Sequence, residues 1–181
     1  MRTAALLRLA LLAAPLFIPI GVVTGQTSPP SQSSDTAKPG AWLVGGSIGV
    51  PASDGRTLPD LFTVAVHGTQ LRPRGLGFDF AVGTMPRALA EGVAVGFARS
   101  GVALPFHLSR GVLMLPSAGV SLVGAASGDG GGINTGLNAG LAAVIFGTGS
   151  VGLRTGVTWH RFAGAETSVS LWELGLVRVR R

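Results

Sequence analysis

The chain has 181 residues and a formal net charge of +6; 12% of its residues are charged, 29 are glycine and none is cysteine. Ordinary soluble domains carry about 25% charged residues, so this chain has few charges with which to cover a water-facing surface. The absence of cysteine excludes disulfides and thiolate metal sites, and the weak, dispersed positive charge argues against nucleic-acid binding.

The first 25 residues have the pattern of an export signal. An arginine-bearing start, an apolar stretch and small residues before a cleavage point near Gly25 are typical of a secretory signal peptide. A membrane anchor is the alternative, but Pro15 and Pro19 interrupt the apolar stretch. Residues 26–40 are rich in Ser, Pro and Thr, which predicts a disordered leader.

From Ala41 onward, eight segments of about ten residues alternate between bulky apolar side chains and small or polar ones, the period of a β-strand. The third, "GLGFDFAVGT" at residues 75–84, places an acidic residue, Asp79, among the small residues of one side. The fourth segment, near residues 92–106, changes phase, which predicts a β-bulge between Phe97 and Gly101.

The connections between the segments alternate in length. Short turns, "RPRG", "LSRG" and "GTGS", follow the second, fourth and sixth segments. Longer loops are predicted at residues 51–60, 86–91, 126–134 and 163–167. Short turns at one rim and longer loops at the other are the layout of an outer-membrane barrel. We therefore predict an all-β fold, an eight-stranded antiparallel up-and-down transmembrane β-barrel over residues 41–181.

The narrow interior of an eight-stranded barrel decides which face points inward. Such a lumen is only just wide enough for side chains, so glycine-rich rows with a few charges suit it, while Leu, Val, Phe and Trp suit lipid. This assignment places Asp79, Arg99, Arg154 and Glu173 inside. We expect Arg154 to pair with Glu173 and Asp79 with Arg99 across neighbouring strands, or the pairs to rearrange across the lumen, because an unpaired buried charge costs several kcal/mol. A structural plug is the favoured role for these charges, and a gated polar path is the alternative.

The segment "PSAGVSLVG", the ending "SLWELGLVRV" and the strand pattern resemble the small eight-stranded outer-membrane β-barrel proteins, the OmpA/OmpX-like class of porin-family domains. The resemblance implies an assembly signal in the last strand, read by the barrel-assembly machinery. Glu173 and Gly175 match that signal, whereas Arg178 and Arg180 occupy positions that are usually apolar. These outward arginines are expected to reach anionic headgroups at the periplasmic rim.

Aromatic girdles normally flank the apolar band of such barrels, yet this chain contains no tyrosine. Trp42, Trp159, Phe162 and Trp172 are the candidates for a partial girdle. Simple packing of these side chains is the alternative.

The sequence contains no pattern that predicts catalysis or metal binding. His67, His107 and His160 lie on or beside different strands, and no serine has a spacing that places a base beside it. The glycine-rich stretch "SGDGGGIN" lacks the lysine and helix of a phosphate loop, so we interpret it as a flexible surface loop. We therefore expect no catalytic residue, no metal site and no cofactor.

The favoured hypothesis is an outer-membrane structural or interaction barrel whose partners are membrane lipid and, during biogenesis, the barrel-assembly machinery. A narrow pore for small solutes is the first alternative, although eight strands rarely leave a continuous channel. A soluble secreted β-barrel that binds an apolar ligand is the second. The sequence does not specify an oligomeric state.

Overall fold

The structure, a computed structural model, describes residues 40–53, 56–72, 75–147 and 149–180. The predicted signal peptide and nearly all of the predicted leader lie outside the described residues. Ten strands are present: β1 (Trp42–Ser53), β2 (Arg56–Thr57), β3 (Thr63–Gln70), β4 (Gly77–Thr84), β5 (Ala94–Ala103), β6 (Phe106–Ser109), β7 (Val112–Ser127), β8 (Gly130–Phe146), β9 (Val151–Phe162) and β10 (Val169–Arg180).

Eight of these strands form a closed antiparallel barrel. Their order around the ring is β1, β3, β4, β5, β7, β8, β9 and β10, and β10 pairs with β1 to close it. The closing register runs from Trp42 opposite Arg180 to Ser53 opposite Val169. Short β2 pairs with the end of β1, and β6 pairs with the start of β7. The predicted eight-stranded antiparallel barrel is confirmed.

The two faces of the wall are assigned as the alternation predicts. In β4, Asp79 and Ala81 are buried inside while Phe78 and Val82 are exposed on the outer wall. Leu174 and Trp172 of β10 are likewise exposed, on either side of buried Glu173. The outer wall therefore presents apolar side chains away from the protein, which is the arrangement expected of strands that face hydrocarbon.

The fourth predicted segment differs from its expectation. The pairing of β5 with β4 and with β7 runs without any shift of register, so the bulge predicted between Phe97 and Gly101 is wrong. Phe97 instead faces the lumen in phase with Arg99, and a side chain at Gly83 would collide with its ring. The lumen has space for the Phe97 ring at this level because the residue opposite it on neighbouring β4 is Gly83. The register shift lies further on, between His107 and Ser109 of β6.

The two rims of the barrel differ. The terminal rim carries Trp42, Arg180 and the connections 71–76, 104–111 and 147–150. The opposite rim carries the connections 54–62, 85–93, 128–129 and 163–168. In the first two of these lie a 3₁₀ turn (Pro59–Leu61) and the five-residue helix α1 (Pro86–Ala90). Arg87 Nη1 of α1 contacts Asp60 Oδ1 at 2.8 Å, which ties these two connections together.

The predicted loop at residues 126–134 is mostly strand. β7 and β8 continue to Ser127 and Gly130 and are joined by only two residues. The β8–β9 pairing begins at Gly136, so the tip of the hairpin extends about six residues, roughly 20 Å, beyond the β9 edge. Residues 125–135 are exposed along this tip. Glycine normally weakens strands, which is why this stretch predicts a loop, but β7 pairs with each of the glycines at 130–132 and only residues 128–129 form the turn.

Within the described ranges, no helix is long and apolar enough to cross a membrane.

Candidate functional site in the barrel lumen

The four predicted lumen charges all point into the barrel. Asp79, Arg99, Arg154 and Glu173 are between 4% and 6% exposed. Each stands in phase with small residues of its strand, as Asp79 does with Gly77 and Ala81. Strand alternation alone therefore positions these side chains, and barrel closure removes them from bulk water.

The ion pairing differs from the two neighbour pairs that were expected. Arg99 Nη2 contacts Glu173 Oε2 at 2.9 Å, and the two strands, β5 and β10, are four positions apart in the ring of eight. Neither Arg154–Glu173 nor Asp79–Arg99 is an ion pair among the described residues. Asp79 and Arg99 do lie diagonally across neighbouring strands, because Asp79 is opposite Gly101 and Arg99 is opposite Ala81. The long Arg99 side chain instead crosses the narrow lumen, the rearrangement left open by the sequence.

Glu173 and Arg99 are the centre of a hydrogen-bonded layer. Ser47 Oγ donates a hydrogen bond to Glu173 Oε1 at 3.2 Å, and Arg99 Nη1 donates one to Thr158 Oγ1. Charge-assisted hydrogen bonds of this kind are stronger than neutral ones, and they help offset the cost of removing both charges from water. The layer joins β1, β5, β9 and β10 inside the barrel.

Asp79 accepts a hydrogen bond from Thr69 on the neighbouring strand. Thr69 Oγ1 lies 2.5 Å from Asp79 Oδ1, and the two residues are opposite each other in the β3–β4 register. Its carboxylate is therefore held against the β3 wall, apart from the Arg99–Glu173 pair.

Three buried side chains of the lumen have polar atoms without a hydrogen-bond partner among the described residues. These atoms are Nε and Nη1 of Arg154, both ring nitrogens of His67 and Nε of Arg99. Across β9, β10, β1 and β3, one row of opposed residues consists of Arg154, Gly175, Ser47 and Ala65. Ala65 is two residues from His67 in β3. The residues opposite Arg154 along this row are small.

An apolar cluster, which the sequence analysis did not predict, lies inside the barrel at the terminal rim and is named the apolar plug. Eight buried residues on the inner face form it: Ala41, Leu43, Leu71, Leu113, Leu115, Ala142, Val144 and Val177. Phe146 and Val179 pack against this plug. Strand alternation alone is enough to place these side chains inside. Leu43 lies on the same face of β1 as buried Ser47, and Leu113 lies on the same face of β7 as buried Ser121. Assigning bulky apolar side chains to lipid and small ones to the interior is valid in mid-strand and wrong at this end.

A serine and a histidine are hydrogen-bonded to each other inside the barrel. Ser121 Oγ is 2.8 Å from His160 Nδ1, and Asn138 Nδ2 donates to Ser121 Oγ at 2.9 Å. No spacing in the sequence indicates this contact. The β8–β9 register, which places Asn138 opposite His160, assembles the trio from the three consecutive strands β7, β8 and β9. Ser121 and His160 are only 4% and 6% exposed.

Three of the four girdle candidates lie on the outer face. Trp159 and Trp172 are exposed there, and Trp42 is half-buried with its ring centroid 6.2 Å from that of Phe80. Phe162 is the exception, because it is in phase with His160 and their rings stack at 5.9 Å inside the barrel. Assigning Phe162 to the girdle is therefore wrong.

No cluster of three or more His, Cys, Asp or Glu side chains with metal-binding geometry exists in the described ranges. His67 and His160 are buried on the inner face, while His107 is exposed in β6 at the terminal rim. The three histidines thus do not come together.

Comparisons with known proteins find solved structures with a similar fold. No protein-family model and no curated protein sequence matches the chain. Among solved structures, Ail, the attachment invasion locus protein of Yersinia pestis, superposes with a TM-score of 0.57 at 11% identity, covering 79% of this chain and 100% of that one. The N-terminal β-barrel domain of Pseudomonas aeruginosa OprF gives 0.59 at 10% identity, covering 78% and 98%. The outer-membrane protein OprG of the same organism gives 0.52 at 10%, covering 80% and 98%.

Identities this low establish likeness of fold, and that likeness extends over nearly the whole of each matched chain. The matched structures are small outer-membrane barrels, which agrees with the apolar outer wall and buried charges of this chain. The chain therefore has the fold of the small eight-stranded outer-membrane β-barrels, and its surface supports a location in the bacterial outer membrane.

Proposed function

We propose that the protein is an outer-membrane-integrated structural or interaction barrel with a plugged lumen and no catalytic activity. The proposal is supported by two groups of buried side chains that lie inside the barrel at different levels. The apolar plug lies at the terminal rim, and the Arg99–Glu173 layer crosses the middle of the lumen. Residues 1–25 would direct export, residues 26–40 would form a leader, and the barrel-assembly machinery would insert the strands.

The terminal rim is the periplasmic side in this proposal, because the predicted longer loops lie at the other end. The contact surfaces are then the predicted external segments 51–60, 86–91, 126–134 and 163–167, and the β7–β8 hairpin among them extends beyond the β9 edge. Absence of catalysis is supported by the burial of Ser121 and His160, since a nucleophile must reach its substrate. Nucleic acid is not an expected partner.

Conductance measured in planar bilayers tests the sealed lumen. We expect the refolded protein to insert without producing steady single-channel steps, because ions cannot cross the plug. A shift in gel mobility between unboiled and boiled samples is the control for folding. Steady steps from protein that shows this shift would contradict the sealed lumen and favour the narrow pore.

A charge placed on the outer wall tests membrane insertion. Leu174 lies midway along β10, opposite Ile48 and Thr155, and is exposed. We expect Leu174→Lys to lower the free energy of unfolding in phospholipid vesicles by about 2–4 kcal/mol, the cost of a lysine at the bilayer midplane. Urea titration followed by tryptophan fluorescence measures this change.

Ile133→Lys is the matched control, because Ile133 is exposed on the projecting hairpin, beyond the β9 edge. We expect little change from it. An equally small effect at both positions would favour the soluble secreted barrel.

A further inference from the structure

The described residues of the terminal rim carry only positive charge. Four exposed arginines lie there, Arg72, Arg110, Arg178 and Arg180, and no described residue of that rim is Asp or Glu. The opposite rim is mixed, with the acidic residues Asp60, Glu91, Asp129 and Glu166 beside Arg56, Arg87 and Arg161. The basic rim therefore presents its charge to something outside the chain.

Arg178 and Arg180 differ from the other two because they lie on the outer wall. Both are in phase with Leu174 and Leu176 in β10, and both are exposed. Neither forms an ion pair with another described residue. The closing register places Arg180 opposite Trp42 of β1, and places Arg178 between Val44 and Val151.

These positions correspond to the edge of a hydrocarbon layer. Tryptophan is enriched at the headgroup level of membranes, so Trp42 marks that level for Arg180. Arg178 is two residues, about 7 Å, further toward the middle of the wall. An arginine near the interface costs only about 0–1 kcal/mol, and its stem can extend the guanidinium toward the headgroups.

The guanidinium group also fixes the chemistry of the partner. Its planar fork binds phosphate through two parallel hydrogen bonds, and two such groups on adjacent outward positions can converge on one phosphate. A soluble polyanion would have to approach through the acyl chains that surround Val44 and Val151. A phospholipid already has its phosphate at this depth.

We propose that Arg178, Arg180 and Trp42 form a binding site for the headgroup of an anionic phospholipid in the leaflet at the terminal rim. The site rests on the proposed membrane insertion. It gives the two arginines that replace apolar residues in the last strand a role in the inserted protein, separate from assembly.

Quenching of Trp42 by brominated lipids tests this site. The experiment uses the full barrel with Trp159→Phe and Trp172→Phe, so that Trp42 is the reporter. Vesicles of phosphatidylcholine and phosphatidylglycerol carry bromine on one lipid or the other at matched content. We expect brominated phosphatidylglycerol to be enriched beside Trp42 about fivefold for each arginine, the factor that corresponds to about 1 kcal/mol per basic residue, and high salt to reduce the enrichment.

Arg178→Gln with Arg180→Gln should abolish this preference, while Arg56→Gln with Arg161→Gln at the opposite rim should retain it. If the glutamine variant does not insert, Arg178→Lys with Arg180→Lys retains the charge and should show a weaker preference, because lysine lacks the planar fork. Equal quenching by both lipids in the protein with native arginines would overturn the site alone. Absence of quenching by either lipid would overturn the site and the proposed membrane insertion together.

Discussion

Replacing Glu173 with alanine should lower the free energy of unfolding by about 3–5 kcal/mol, one of the two largest effects we expect. The change leaves Arg99 charged in an interior where its side chain is only 3% exposed, and an uncompensated buried charge is strongly destabilising. Ser47 also loses its hydrogen-bond acceptor. Urea titration in phospholipid vesicles measures the change.

Two further variants identify the cause of that loss. Glu166→Ala removes a carboxylate near the opposite rim that forms no ion pair with a described residue, and we expect a change below about 0.5 kcal/mol. Arg99→Met combined with Glu173→Leu removes both charges, and it should recover most of the stability, because apolar replacement of a buried pair is often neutral. A Glu173→Ala variant as stable as Glu166→Ala would show that the ion pair is not formed in the membrane.

Truncating the apolar plug should give the second large effect. Leu113→Ala should cost about 3–5 kcal/mol, because Leu113 is 2% exposed in the lumen and its truncation leaves a cavity that the rigid wall cannot fill. The same urea titration measures the loss.

Leu153→Ala is the matched control, at a similar level on the outer wall. Leu153 is opposite Ile145, while its neighbour Arg154 is opposite Val144 of the plug. Acyl chains can occupy the space that Leu153 leaves, so only the transfer free energy of the removed carbons is lost, about 2 kcal/mol. A larger loss at Leu153 than at Leu113 would mean that the faces of the barrel are reversed.

Much of the fold follows from alternation alone, because each strand of a membrane barrel separates lipid from lumen. The inward placement of Asp79, Arg154 and Glu173 required only the phase of their own strands. Closure was also predictable, since an open edge in hydrocarbon leaves backbone groups unpaired.

The partners of the lumen charges were not predictable, because they depend on which strands face each other across the ring. Arg99 and Glu173 are 74 residues apart, and the distance their side chains must span is set by the barrel diameter and not by local spacing. The same holds for Ser121 and His160, whose contact depends on the exact β7–β8–β9 register. The plug was missed for a different reason: residue size was used to assign a face where only phase was informative, as Leu43 shows.

The pairing of Trp42 with Arg180 has a consequence for how the chain matures. The seam that completes the cylinder joins the first strand to the last, so this contact of very high sequence separation forms only after all the intervening strands have been delivered. Until then the two outermost strands each carry a row of amides and carbonyls that hydrocarbon cannot solvate. Insertion into the bilayer and closure of the barrel must therefore be coupled. Loss of the last strand would leave seven strands with unpaired edges, which are not stable in lipid.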